Sequence, residues 1–180
     1  QRVRVGPLGI EADRVVHVED AKGRVITSRS HPRFLGHKGS LGADGTITVD
    51  GQPWDAREVA ADVVDIAGPG AKLVRYDGAE RFDVLPLLVA TDGAIAAFGH
   101  DRRRLRPNIV IGDVEGLGER EWPGACLRIG SVLIGVQDLR LRCGMTSYDP
   151  DTLVQNKDIL RDIYRRFDGK LALNCFVIEG

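Results

Sequence analysis

A cysteine set among cations is the clearest seat of chemistry in this chain. Cys143 follows Arg140 and Arg142, and Gly144, Thr146 and Ser147 come directly after it. The thiolate is the form that attacks electrophiles and binds metals, and fixed positive charge beside a thiol favours that form. The competing reading is an inert core cysteine, because free Cys is among the most buried residue types. Cys126 and Cys175 serve as controls. Both lie in apolar runs without charged neighbours on either side, so both are expected in the core. Asp149 and Asp151 offer an acid–base pair, but flanking Pro150 they read as a turn.

Arg102, Arg103, Arg104 and Arg106 form the densest charge cluster. A charge run is by default a solvated surface. Here Leu105 and Pro107 interrupt it, and a β-rich run starts at Asn108, which aims Arg106 and Asn108 from a strand entrance. A guanidinium there can grip a phosphate bidentately, and the amide offers both a donor and an acceptor. A nucleic-acid surface is not expected, because aromatic interleaving is sparse and the formal net charge is −1.

These residues need elements to hold them. Leu139 and Leu141 alternate with Arg140 and Arg142, the period of a strand, and Gly144 with the Asp149-Pro150-Asp151 turn places its end near Cys143. Asp-Gly pairs recur at Asp44, Asp50, Asp77, Asp92 and Asp168, and this dipeptide supplies the backbone of tight turns. Short β-rich runs lie at 15–18, 24–27, 46–49, 72–76, 87–90, 108–111, 126–129, 132–141 and 171–178. Gly130-Ser131 should turn one hairpin. Many short strands between turn signals predict a mostly β, barrel-like fold. Two or so short α-helices interrupt it. Thr91 or Asp92 caps one through about Phe98. Ile159, Leu160, Ile163, Tyr164 and Phe167 place an apolar stripe on the other, with Asp158 early and Arg165-Arg166 late, as the helix dipole favours. Residues 77–83 are the expected boundary between subdomains.

Composition bounds the function. The 180 residues are 43% hydrophobic and 28% charged, ordinary for a globular protein with a real core. No apolar run approaches the roughly 20 residues that span a bilayer, and no leader-type stretch is present, so no membrane span and a cytoplasmic setting are expected. Three cysteines without a C-x-x-C pair exclude an ordinary zinc site and a disulfide framework, which suits a reducing compartment. The four histidines show no ligand spacing, and no phosphate-loop, dinucleotide or nucleophile-elbow motif occurs. The ends at Gln1 and Gly180 are read as those of a segment of a longer product.

In order and spacing, several motifs resemble the MOSC family, the molybdenum-cofactor-sulfurase C-terminal domain, and within it the amidoxime-reducing molybdenum proteins. Arg104-Leu105-Arg106-Pro107-Asn108-Ile109-Val110-Ile111 is similar to the family's R-F-R-P-N-I-V-V. Glu119-Arg120-Glu121-Trp122 is similar to E-D-x-W, and Leu127-Arg128-Ile129-Gly130 to L-x-I-G. Arg142-Cys143-Gly144-Met145-Thr146-Ser147-Tyr148-Asp149-Pro150-Asp151-Thr152 resembles R-C-x-x-T-T-V-D-P-x-T. Upstream, Asp13-Arg14 is similar to D-R-x-W, with Val16 in place of Trp, and Thr27-Ser28-Arg29-Ser30-His31-Pro32-Arg33 to T-x-R-x-x-P-R. The resemblance implies a MOSC N-terminal β-barrel subdomain over 1–78, without its opening strand, and a MOSC domain over 79–180, without its closing strand.

The roles the resemblance implies are these. Cys143 is the catalytic thiolate ligand to molybdenum in a molybdenum cofactor (molybdopterin). Arg14, Arg106, Asn108 and Arg142 hold the pterin and its phosphate, and Thr91 lies near the cofactor. The activity implied is that of an oxidoreductase removing oxygen from N-hydroxylated or N-oxide-like small molecules. No iron–sulfur cysteine set or nucleotide fingerprint occurs in this chain, so an electron-donating reductase or a fused redox domain is the expected partner. The alternatives are a carrier that holds persulfide on Cys143 or delivers cofactor, and a binding module whose Arg102–Arg106 cluster meets an acidic partner.

Overall fold

The computed structural model describes residues 3–180. Among them, 13 strands form four sheets, accompanied by three α-helices and several 3-10 turns. The protein is mostly β with a few short helices, and its sheets include a curled half-barrel. The chain divides into two compact units. One combines the described residues through Asp13 with Phe82–Asp149 and Val154–Gly180, and the other combines Arg14–Arg81 with Pro150–Leu153.

The first unit opens with a hairpin of β1 (Val5–Gly6) and β2 (Gly9–Ile10). The chain then builds the second unit. There β3 (Val16–Glu19) pairs with β4 (Val25–Ile26) on one side, while β5 (Gly39–Leu41), β6 (Ile47–Val49) and β7 (Gln52–Pro53) form a separate antiparallel ribbon. A helix follows, α1 (Arg57–Ala67), and then β8 (Lys72–Arg75) on the other side of β3. Val18, Val63 and Ala71 are its buried centre, with Phe34 and Leu73 packed on them. α1 has no counterpart among the two expected helices. Its N-cap is Ala56, which makes no side-chain cap, so the usual start signal is missing. What forms it is tertiary burial of Val59 and Val63, four residues apart on one face.

The chain returns to the first unit through β9 (Leu87–Thr91), α2 (Asp92–Phe98) and β10 (Ile109–Ile111), which lies parallel to β9. β11 (Cys126–Ile129) and β12 (Val132–Leu141) form the hairpin at Gly130-Ser131, α3 (Lys157–Phe167) follows, and β13 (Lys170–Glu179) inserts between β9 and β12. Leu87, Val89, Ile134, Val136, Leu173 and Cys175 pack on one sheet face, each at most 2% exposed. Burying one such side chain contributes about 1.5–3 kcal/mol. Phe98, Leu105, Ile159, Ile163, Phe167 and Leu171 make the second cluster, which holds α2 and α3. Register shifts interrupt the β12–β13 ladder at three places, and such bulges bend a strand pair. At Gly135 a Cβ would meet the Phe176 ring at 2.4 Å, so only glycine lets that ring lie across β12.

Cys126 departs from its expected place in the core. It is exposed, because the adjacent Leu127 faces the core cluster and strand alternation sends Cys126 to the opposite side of edge strand β11. Cys175 is fully buried. Among the described residues no helix is long and apolar enough to cross a membrane.

Candidate functional site

β12 stops at Leu141, and the next two residues turn inward. The backbone N–H of Arg142 donates to the Gly169 carbonyl at 2.8 Å. Its side chain runs into the protein and is only 7% exposed. One guanidinium nitrogen, Nη2, donates to the Leu105 carbonyl at 2.7 Å. Among the described residues no acceptor reaches the buried Nε or Nη1. Burial, followed by repulsion from Arg140, lowers its pKa to about 10, and the Cys143 charge opposes that shift while Arg106 adds to it. A buried cation with two open donor directions is expensive, and buried polar groups almost always find partners. The corner therefore has the chemistry of an anion site.

Cys143 lies at this corner, half-buried. Its carbonyl accepts from both the backbone N–H and the hydroxyl of Thr146, at 3.1 and 2.8 Å. Ser147 donates to the Gly144 carbonyl, and Gln155 donates to the Ser147 hydroxyl at 3.1 Å. Thr146 and Ser147 are each 1% exposed. The two hydroxyls after the cysteine thus lock a 3-10 turn, Gly144–Ser147, rather than reach solvent.

The arginine cluster is fastened to the same corner. Asp101 caps a 3-10 turn, Arg102–Arg104, and binds the Arg103 guanidinium at 2.6 Å. Arg104 Nη2 pairs with Asp149 Oδ2 at 2.7 Å, with its side chain 10% exposed, and its Nη1 is buried without an acceptor among the described residues. Asp149, expected as a turn residue, is thereby also an ion-pair partner. Two ties, Arg142 to Leu105 and Arg104 to Asp149, hold the arginine turn against the cysteine loop. Arg106 follows with φ of 56° and an exposed side chain. It lines an open groove with Arg102, Arg103, Pro107 and Val110.

Cys143, Arg142 and Arg106 are thus brought together. Asn108 stands at the entrance of β10 with its amide engaged: Oδ1 accepts from Leu88 N–H at 2.8 Å, and Nδ2 donates to Asp13 at 3.4 Å. Thr91 is fully buried as the N-cap of α2, accepting from Ala94 N–H at 3.0 Å and donating to Glu119 at 3.0 Å. Arg14 belongs to the other unit, with φ of 57°. Arg140, which the sequence places beside the thiol, is held by Asp83 at 2.6 Å and by Asn174.

Sequence reasoning missed three features. Arg104 is a largely buried cation, with Nη1 unpartnered among the described residues, whose anchor lies 45 residues away. Glu119 is fully buried with one carboxylate oxygen unpaired among the described residues. Neither burial has a local signal. The third is a second groove, floored by Gly144 and Ser147 and walled by Lys157, Leu160, Arg161 and Tyr164 of α3. The i, i+4 spacing of Leu160 and Tyr164 was visible, but it reads equally as core.

Among the described residues no cluster of three His, Cys, Asp or Glu side chains is placed to hold a metal ion. A metal on Cys143 would need its other ligands from a cofactor. No family model matches the chain, and no curated protein matches it.

Proposed function

We propose that the protein binds a molybdenum cofactor at the Arg142–Cys143 corner and removes oxygen from N-hydroxylated or N-oxide-like molecules. The observation that carries this reading is the buried Arg142 guanidinium, with Nε and Nη1 unpartnered beside a half-buried thiol. The donor set fits the group. A soft thiolate suits such a metal, and a coordinated thiol is deprotonated outright. Arg142 compensates that negative charge and offers two N–H donors to an anionic part of the cofactor. Arg106 adds an exposed cation, and Arg104 has one further buried donor. Asn108 shapes the strand entrance through its bonds to Leu88 and Asp13. Thr91 acts as a positioning residue, fixing the start of α2. Arg14 enters through the family resemblance alone.

When bound, the cofactor supplies a two-electron centre able to accept an oxygen atom. The chain supplies one sulfur, the compensating charge and a rigid loop. Electrons come from a partner reductase or a fused redox domain.

The test is metal analysis of the full-length protein from a host that makes molybdenum cofactor. Near-stoichiometric molybdenum is expected in the wild type, with loss in Cys143→Ser. Sulfane sulfur on Cys143 without metal would replace this reading with the persulfide carrier, and neither metal nor sulfur would overturn both.

A further inference from the structure

The groove beside Cys143 is not used by the cofactor reading. We propose that it receives the body of the substrate and selects planar, apolar molecules that carry an anionic group. This rests on the oxygen-removal reading for the reaction, but not for the binding.

Several observations carry it. The floor is Gly144 and Ser147, which begins one residue beyond Cys143. The floor is rigid, because the Ser147 hydroxyl is engaged by both Gly144 and Gln155. One wall is an aromatic ring tied to the same corner. Tyr164 packs over Gly169, where a Cβ would meet the ring at 2.9 Å, and the Gly169 carbonyl accepts the Arg142 N–H. The ring is nevertheless half-exposed, so it offers surface to a flat ligand. Leu160, one helical turn earlier, extends that apolar wall.

The charge of the groove selects the rest. Its lining contains Lys157 and Arg161 and no carboxylate. Lys157 is exposed and has no ion-pair partner among the described residues. Arg161 pairs with Asp158 at 2.6 Å, but both side chains are about three-quarters exposed. Surface pairs of that kind are weak, so an anionic ligand can compete for the guanidinium. A ligand with its flat part on Tyr164 and its anion between Lys157 and Arg161 would satisfy all of these groups.

The cofactor-free full chain, titrated with 4-carboxybenzamidoxime and with its uncharged methyl ester, tests this by amide NMR shifts. The acid is expected to shift the backbone signals of Gly144, Lys157 and Tyr164 and to bind about fivefold or more tightly than the ester. Lys157→Gln should remove most of that preference and leave ester binding unchanged, while Tyr164→Ala should weaken both ligands. Equal affinity for acid and ester, or shifts confined to Arg102–Arg106, would overturn the groove assignment. Groove binding in a protein that never loads molybdenum would overturn the oxidoreductase reading alone. In loaded enzyme, a KM for the acid indifferent to Lys157→Gln would overturn the groove alone.

Discussion

Arg142 carries a test that separates function from stability. Its one side-chain tie, from the charged guanidinium to the Leu105 carbonyl, contributes about 1.5–3 kcal/mol. An uncompensated buried cation costs several kcal/mol by comparison. Arg142→Met is therefore expected to hold or raise the melting temperature of cofactor-free protein, by about 0–3 kcal/mol in unfolding free energy, while abolishing molybdenum retention. A melting temperature several degrees lower would make Arg142 a structural strut instead. The cysteines separate by environment too. Iodoacetamide at pH 8 should label exposed Cys126 and spare Cys175 until the protein unfolds, read by mass spectrometry. Burial pushes the Cys175 thiol up to about 12 from an ordinary 9.0. The folded state keeps that proton longer than the unfolded one, so this contribution to stability is complete below about pH 9 and is lost as pH rises toward 12. Urea midpoints measured from pH 8 to 11 should fall less steeply in Cys175→Ala than in the wild type.

Among the elements, the start of α2 is the most exacting joint. Thr91 accepts from Ala94 N–H and donates to the fully buried Glu119. Thr91→Ser keeps both bonds. Thr91→Val loses the cap, worth about 1 kcal/mol, and strips a buried carboxyl of its donor, at about 1–3 kcal/mol more. Thermal unfolding is expected to rank wild type and Thr91→Ser together, well above Thr91→Val. A Val variant as stable as wild type would remove Glu119 from this joint. Most strands were legible because their signals are local, alternation within a run and turn dipeptides between runs; β1, β2, β5 and β7 were not, since runs of two or three residues show no alternation. The hairpin strands 126–129 and 132–141, and the Thr91 cap, could be placed from sequence by such local signals. α1 could not, since Ala56 gives no start signal and only packing on Val18 and Ala71 selects a helix there. At the site, Cys143, Arg106 and Arg142 stood out by type and spacing. The Arg104–Asp149 pair and the engaged amide of Asn108 depend on contacts between distant segments, which no local pattern encodes.

For the molecule as a whole, the decisive feature is that one unit is assembled from segments that lie on both sides of the other in sequence. Ile10 packs on the Leu87–Cys175 cluster, although residues 14–81 of the other unit intervene. Ile10→Ala is expected to lower hydrogen-exchange protection in β9, β12 and β13 by about 1–2 kcal/mol, with little change in β3 and β8. Uniform loss across both units would mean that they open as a single cooperative body. This arrangement also sets an order of events during synthesis. Residues 14–81 contain their own core and can condense early, but Ile10 must wait for β13 to be made. At translation rates of roughly 5–20 residues per second, that delay is on the order of 10–30 s, during which an apolar hairpin stands without its sheet. Val5 lies against Gly180, so a short linker can carry residues 3–13 behind Gly180. Such a permutant makes the hairpin after its sheet, removes the wait, and should give a higher soluble yield in cell-free translation without added chaperone.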